Sequence, residues 1–435
     1  MKKICFILVI FLGFIPAKAQ KIRTQNEVIQ LVLQNNYDVL VSVNEIETAK
    51  NNTSIYNTGY LPTVTTSASA TYDENNVDAE TQEGDPFVID GAVTENYNAT
   101  VSLNYTVFDG FNRRYNFKKL QETQGLTELQ ARQTIENTLL QVYTSYFEIA
   151  RLSENTKNLS ETLAISRQRL ERTQYNFEFG QATKLDVLTA EVDRNNDSIS
   201  YLDSQRLLKN AKRDLNILMG TDVSEINYEV DTNIDYTFDL TLEDLQENLQ
   251  QNNVQLLQIE KNIAINAYDI KMNKSGWLPT ISADGSYSVG RSNSDQAFAF
   301  ASQTTNGFGV GLNLTWDVFD GGKTKTRVQN AKIALDSENI RKQQTSQQLL
   351  RDLNNTWETY QNALYTIRVQ EMNLETNVQS FQRTEEQYKL GQVITLDFRQ
   401  AQINLLNAKL NLSQAKYDAK NSELQLLQMA GKLLK

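Results

Sequence analysis

Four segments of the chain alternate apolar and polar residues with a period of two, which predicts β-strands with two different faces. One face is rich in Val, Leu, Ile, Ala and aromatic residues, and the other in Ser, Thr, Asn, Asp and Gly. The segments are 64–72, 97–107, 281–289 and 308–318. Each is about 9–11 residues long, which suits a tilted strand that spans a membrane. The alternative is an antiparallel sheet packed on a soluble core.

Four strands do not close a barrel, and lipid does not tolerate the open edges of a sheet. A membrane location therefore requires several copies of the chain, each contributing four strands to one closed sheet. Tyr, Trp and Phe near the strand ends suit the aromatic girdle at a membrane interface.

Long helices are predicted between and after these strands. Residues 111–179 contain no proline and one glycine, Gly125, and residues 323–390 contain neither. Each stretch is about 68 residues long, or ~100 Å as a helix. Shorter helices are predicted over 24–58 and 182–219. Apolar residues of 353–388 follow spacings of three and four, which is typical of a coiled coil, and the pattern continues through Leu396, Ile403, Leu406 and Leu410. The predicted fold class is mainly α with a small β part.

The sequence repeats itself in four ordered places. Two pairs of matching motifs lie 217 residues apart: Asn35-Asn36 with Asn252-Asn253, and Tyr60-Leu61-Pro62-Thr63 with Trp277-Leu278-Pro279-Thr280. Two further pairs lie 211 residues apart: Val107-Phe108-Asp109-Gly110 with Val318-Phe319-Asp320-Gly321, and Phe179-Gly180-Gln181 with Leu390-Gly391-Gln392. We predict two structural repeats, 20–219 and 238–430, an equatorial linker over 220–237, and a C-terminal tail over 431–435.

The N-terminus has the pattern of an export signal. Lys2 and Lys3 precede an apolar run, and Ala17-Lys18-Ala19 provides a small-x-small cleavage site, so residues 1–19 are predicted to be a cleaved signal peptide rather than a short membrane anchor. Cys5, the single cysteine, lies inside it, and the chain has no histidine. These absences exclude thiol and histidine catalysis and His-ligated metal sites from the mature chain. The net charge of −11 disfavours nucleic-acid binding.

An acidic segment, 73–96, connects the first pair of strands and contains no Lys or Arg. We interpret it as a solvated surface loop. The alternative is an electrostatic exit for cationic cargo, or a site for a bound cation, at the mouth of a channel.

The duplicated motifs resemble the TolC family of outer-membrane efflux and secretion channels over nearly the whole mature chain. Each motif alone is weak, and the ordered repetition carries the resemblance. It implies a homotrimer with one 12-stranded barrel in the outer membrane, a periplasmic helical tunnel, no catalysis and no cofactor. It also implies docking to a periplasmic adaptor (membrane fusion) protein and to an inner-membrane pump driven by protons or ATP.

The resemblance also implies roles for individual residues. Asp397 matches the family's acidic ring at the periplasmic entrance, and Gln400 stands where many members have a second acid; Asp186 is the equivalent of Asp397 in the first repeat. The alternative is that both acids merely stabilise a helix N-terminus. The implied adaptor-contact tips are Phe179, Gly180, Leu390 and Gly391; simple turn geometry is their alternative.

The function predicted from sequence is a passive outer-membrane export duct of a tripartite efflux or type I secretion system. The alternative is an exported coiled-coil scaffold or adhesin without transport. A carboxylate hydrolase is disfavoured because no paired-acid spacing stands out. The cargo is left open.

Overall fold

The computed structural model describes residues 21–434 except 81, 83, 237–239 and 296–299. The predicted signal peptide, 1–19, therefore lies outside the described residues. The helices are α1 (Gln25–Asn35), α2 (Tyr37–Asn52), α3 (Asn112–Glu178), α4 (Lys184–Leu218), α5 (Leu242–Asn252), α6 (Val254–Lys274), α7 (Lys323–Lys389) and α8 (Thr395–Met429). The strands are β1 (Lys21–Arg23), β2 (Thr63–Glu80), β3 (Pro86–Asp109), β4 (Tyr228–Val230), β5 (Thr280–Ser294) and β6 (Ser302–Thr315). The predicted fold class, mainly α with a small β part, is confirmed.

The same order of elements occurs twice. Two helices, two strands, a 67-residue helix and a 35-residue helix follow one another from α1 to α4, and again from α5 to α8. The boundaries predicted for the repeats, the linker and the tail stay predictions. None of the helices in the described part of the chain has both the length and the apolar character that crossing a membrane requires.

The chain divides into two compact units, and each draws on both halves of the sequence. The first unit comprises the described residues of Met1–Val41, Thr134–Asn253 and Leu349–Lys435, and the second those of Ser42–Gln133 and Val254–Gln348.

In the first unit, apolar residues of several helices bury one another around the parallel pair β1–β4. Val28 of α1, Tyr146 of α3 and Leu215 of α4 are at most 1% exposed, as is Tyr228 of β4. The Tyr146 hydroxyl donates to the Arg23 carbonyl at 2.9 Å, so its polar end is satisfied within the core.

A single helix predicted over 24–58 is wrong, because the chain breaks at Asn36 between α1 and α2. The Asn36 side-chain oxygen accepts the N–H groups of Asp38 and Val39, which caps α2. Its amide donates to the Leu218 carbonyl at the end of α4, at 2.9 Å. One side chain therefore satisfies backbone groups of two helix ends.

The second repeat builds the same junction. The Asn253 amide donates to the Met429 carbonyl at the end of α8, at 2.9 Å. A glycine follows each of these helix ends, Gly220 after α4 and Gly431 after α8, and both have positive φ. The paired asparagines recognised in the sequence and these two glycines are thus parts of one helix junction, present twice.

The second unit contains the antiparallel sheet, in the order β2-β3-β5-β6. Residues directly opposite one another share a face, so the register shows the composition of each face. Val64 pairs with Leu103, Leu103 with Gly285, and Gly285 with Val310. The neighbouring rows of this face include Val101, Tyr287 and Phe308. The opposite face carries Ser, Thr, Asn and Gly at the intervening positions. The predicted two-faced strands are therefore confirmed.

The interpretation of 73–96 as a loop is wrong. β2 continues to Glu80 and β3 begins at Pro86, and the two pair almost to the turn, from Asp73 opposite Thr94 to Glu80 opposite Pro86. Backbone pairing offsets the weak strand propensity of the acidic side chains. At the other end of the sheet, β6 stops at Thr315. The strand predicted over 308–318 is therefore wrong at its end, because Trp316 and Val318 lie beyond the observed strand.

Candidate functional site

The tip between α3 and α4 is an exposed glycine turn in the first unit. The Gly180 N–H donates to the Phe177 carbonyl at 3.0 Å, and the Gln181 N–H to the Asn176 carbonyl at 2.7 Å. These two bonds form a Schellman motif, which requires a left-handed residue, and Gly180 has a φ of +71°. Phe179 is 78% exposed. The turn therefore presents an aromatic side chain that the chain itself leaves uncovered.

The tip between α7 and α8 repeats this geometry. The Gly391 N–H donates to the Tyr388 carbonyl at 3.1 Å, and the Gln392 N–H to the Gln387 carbonyl at 2.9 Å. Leu390 is 72% exposed and occupies the place of Phe179. Turn geometry therefore explains both glycines, and an exposed apolar residue precedes each.

Asp186 is engaged by the start of its own helix. Its carboxylate accepts both the hydroxyl of Thr183, at 2.6 Å, and the N–H of Thr183, at 2.8 Å, in a capping box. These hydrogen bonds, the one from the hydroxyl first, lower the pKa of the Asp186 carboxyl. The alternative interpretation of Asp186, a residue that stabilises a helix N-terminus, describes its position here.

Asp397 has different surroundings although its sequence position is equivalent. It lies exposed in the first turn of α8, whose N-cap residue, Ile394, has no side-chain hydrogen bond to offer. The described residues give the Asp397 carboxylate no hydrogen-bond or ion-pair partner. Gln400, three residues on, donates to Asn404 at 2.8 Å. The Asp397 carboxylate is thus exposed to solvent, whereas the Asp186 carboxylate is hydrogen-bonded to its N-cap residue.

A buried polar cluster ties α8 to α3 and α4 behind the tips. The Arg399 guanidinium holds both carboxylate oxygens of Asp197, at 2.7 and 2.8 Å. Ser166 of α3 also donates to Asp197, and the Gln402 amide donates to Ser166 at 3.1 Å. Arg169 pairs with Asp193 at 2.5 Å. The sequence analysis missed this cluster because its members are far apart in the chain and resemble ordinary polar helix positions.

Aromatic contacts join the same helices closer to the tips. The Tyr388 ring stacks on Phe398, with centroids 4.5 Å apart. Arg172 of α3 lies over Tyr388 at 5.1 Å and donates to the Lys389 carbonyl at 2.8 Å. The two hairpins are therefore linked within the first unit.

The sheet of the second unit offers an uncovered apolar surface. Phe308 and Val310 of β6 are each 81% exposed, and Leu312 is 73% exposed. Such a large exposed apolar face marks an interaction with a protein or a membrane. On the described residues, no cluster of three or more acidic, His or Cys side chains could hold a metal ion.

Long helical hairpins with glycine tips, together with a sheet that is apolar on one exposed face, define the class of outer-membrane export channels. A family model described as "Outer membrane efflux protein" matches residues 28–221 and again 245–432. The chain belongs to this outer membrane efflux protein family, so it is an outer-membrane channel protein of efflux or secretion.

Relatives and solved structures agree with this membership. The chain is 27% identical over 303 residues to outer membrane protein TolC of Vibrio cholerae, which covers 69% of each protein. It is 22% identical over 396 residues to the alkaline protease secretion protein AprF of Pseudomonas aeruginosa, covering 89% of this chain and 80% of that protein. The fold is similar to the Campylobacter jejuni CmeC outer membrane channel, with a TM-score of 0.76 and 18% identity over 94% of this chain and 86% of that one. These relatives do not favour an exported scaffold or adhesin.

Proposed function

We propose that the protein is one subunit of a trimeric, passive export duct that crosses the outer membrane and extends into the periplasm. The observation that carries this proposal is the uncovered apolar face of the sheet. β2 and β6 each have one pairing partner among the described strands, so both present an open edge. Lipid excludes unpaired backbone groups. Three copies that join β6 of one to β2 of the next satisfy both edges and enclose the polar faces in a 12-stranded barrel.

Disulfide cross-linking tests this arrangement, and Cys5, the single native cysteine, lies in the predicted signal peptide. Thr65→Cys on β2 is combined in turn with cysteines at Gly307, Gly309 and Gly311, which lie on the same face of β6. One combination should give a covalent trimer on a non-reducing gel.

The control for this test is Ser102→Cys on the central strand β3, with the same three β6 partners. It should give no species larger than a monomer. A protein that purifies as a water-soluble monomer without detergent would contradict the duct and favour the scaffold.

The exposed tips are the surfaces we assign to the periplasmic adaptor. Phe179 and Leu390 are uncovered apolar side chains at neighbouring hairpin ends. Changing both to Asp should abolish export from cells while the trimer and its conductance in planar bilayers stay intact. Val223→Asp, at an apolar residue that is 47% exposed outside the tips, is the control. Export at the wild-type level in the double variant would remove the tips from the docking surface.

Asp397 is the residue we assign to the periplasmic constriction. Three solvated carboxylates around a threefold axis attract cations and repel one another. Asp397→Ala should raise conductance or relieve block by multivalent cations in planar bilayers. Asp186→Ala is the matched control, because the Asp186 carboxylate already serves its cap. Equal conductance and block in wild type and Asp397→Ala would exclude Asp397 from the constriction.

The duct performs no chemistry in this proposal, and an inner-membrane pump supplies the energy. The adaptor opens the tips by stabilising an open state. The family model is described as an efflux protein, whereas AprF is named as a protease secretion protein. We therefore leave the cargo class to the pump with which the duct assembles.

A further inference from the structure

Arg291 is the single basic residue in strands β2, β3, β5 and β6 as the structure describes them. The same strands carry several acidic residues, so the position of this one cation is informative. Arg291 pairs with Tyr97 of β3 and Thr304 of β6, in the row that also contains Ala70. This row belongs to the apolar face of the sheet.

The row of Arg291 is where the apolar face ends. The row before it contains Ala68, Ala99, Val289 and Asn306, whereas the row beyond it contains Tyr72, Glu95, Asn293 and Ser302. Arg291 lies eleven residues after the first residue of β5. At about 3.3 Å per residue and a tilt of about 40°, the row stands roughly 28 Å above the start of the strand, close to the height of the apolar band of an outer-membrane barrel.

A shallow groove of about 520 Å³ lies beside Arg291. Its apolar lining comes from Tyr97, Val289 and three alanines, and its polar lining from Arg291, Ser69 and Asn98. The alanines Ala68, Ala70 and Ala99 leave room that larger side chains fill elsewhere on this face. A groove of this shape suits one acyl chain.

One donor of the Arg291 guanidinium has a hydrogen-bond partner among the described residues, and the others face solvent. Its Nε donates to the Asn293 side-chain oxygen at 3.2 Å, and no carboxylate of the described residues pairs with it. A charged residue on the lipid side is costly at the membrane centre and nearly free at the interface, where it reaches headgroups. Arginine binds phosphate through two parallel hydrogen bonds.

We propose that Arg291 and the alanine groove form a binding site for a phosphate-bearing lipid of the outer leaflet. The phosphate binds the guanidinium and one acyl chain lies in the groove. The site rests on the proposed function, because that function places this face in the membrane with the β2–β3 turn outward.

Glu95 gives the proposal a second, opposite test. Its carboxylate accepts from the Asn293 amide at 3.2 Å, one row beyond Arg291. A negative charge there repels a phosphate bound to Arg291. Arg291→Gln should therefore weaken lipid binding, whereas Glu95→Gln should strengthen it.

Native mass spectrometry of the trimer in detergent measures the bound lipid. The probe is diphosphoryl lipid A, titrated beside a galactolipid of matched acyl length that lacks phosphate. Wild type should bind lipid A, and Arg291→Gln should bind it about tenfold more weakly, as expected for the loss of one charge-assisted contact. Arg291→Lys should lower the affinity for lipid A about threefold, because lysine keeps the charge but cannot make the two parallel hydrogen bonds of a guanidinium. Glu95→Gln should gain about twofold.

The proposal is overturned if Arg291→Gln binds lipid A as tightly as wild type, or if the galactolipid binds equally well. It is also overturned if inorganic phosphate at the same concentration displaces the lipid, since the site would then hold free phosphate. Thr304→Ala, in the same row of β6, is the control that should bind normally. A trimer that conducts but binds lipid independently of Arg291 refutes this inference alone, whereas a protein that forms no trimer refutes the proposed function.

Discussion

Replacing Gly220 by alanine tests how tightly the helix junction of the first repeat is packed. Gly220 has a φ of +62°, and a Cβ at this position would lie 2.4 Å from the Asn35 carbonyl oxygen. That oxygen belongs to the backbone at the end of α1, so it does not move aside as a flexible side chain would. The variant must both adopt a left-handed alanine and separate two helix ends.

The two costs add to a measurable loss. A left-handed conformation costs an alanine about 1–2 kcal/mol, and overpacking a rigid site costs about 1–3 kcal/mol. We therefore expect Gly220→Ala to destabilise the protein by about 2–5 kcal/mol. Gly180→Ala is the matched control, because its φ is +71° but no atom lies within 4 Å of the added carbon. Gly180→Ala should lose only the conformational contribution to stability, about 1–2 kcal/mol.

The second repeat supplies an independent copy of the comparison. A Cβ on Gly431 would lie 2.5 Å from the Asn252 carbonyl oxygen, whereas one on Gly391 would meet nothing within 4 Å. The assay is the thermal loss of helical circular dichroism in detergent, at one scan rate for all four variants because membrane proteins rarely unfold reversibly. Equal losses for Gly220→Ala and Gly180→Ala would refute the steric argument.

Three further predictions concern charges and a buried phenol. Arg399→Gln leaves the buried carboxylate of Asp197 without its cationic partner and should destabilise the protein by about 3–5 kcal/mol, seen as a lower unfolding temperature in the same thermal assay, while adding Asp197→Asn should recover part of that loss. Asp284 is the one ionisable side chain on the polar sheet face in the described rows from Thr63 to Thr71, so Asp284→Asn should shift the reversal potential in a salt gradient toward lower cation selectivity. Burial, opposed by a nearby arginine, raises the pKa of Tyr228 from 10.0 to about 12. Between these two values the unfolded chain releases its phenolic proton before the native chain does, so stability should fall as the pH rises from 10 toward 12. Tyr228→Phe should flatten that decline, and a slope equal to that of wild type would refute the assignment.

Much of the architecture could be predicted because its determinants are local. Strict alternation of side-chain polarity fixes the two faces of a strand. A glycine after a long proline-free stretch marks the left-handed end of a helix, and Gly180 and Gly391 lie at such ends. The repeated motifs then link one half of the chain to the other. These signals also identified the tips.

The features that sequence did not predict depend on contacts between distant segments. The break at Asn36 arises because its side chain serves two helix ends, one of them contributed by residues far along the chain. In α8 the predicted apolar seam is only partly buried. Leu396 is 68% exposed and Ile403, Leu406 and Leu410 are half-buried, whereas Ala408 and Ala419 are buried. Close packing of helices favours small side chains at the contact, and a pattern built on large apolar residues overlooks them.

The contrast between Asp186 and Asp397 shows how one neighbouring residue decides what an acid can do. The two occupy equivalent positions, but the first helix starts at Thr183, whose hydroxyl and N–H hold Asp186, while the second starts at Ile394, which offers no hydroxyl. A free carboxylate at the tip thus follows from an isoleucine three residues earlier. Ile394→Thr should create a capping box, draw Asp397 onto the helix start and stabilise that start by about 1 kcal/mol.

If Asp397 lines the constriction, Ile394→Thr should weaken cation block in planar bilayers without changing any charge. Ile394→Val is the control, because valine keeps the branched shape and lacks the hydroxyl. Block that is the same in the threonine and valine variants would show that the cap does not control the carboxylate. A weaker block in the threonine variant alone would mean that the N-cap residue, and not the acid by itself, sets the charge presented at the entrance.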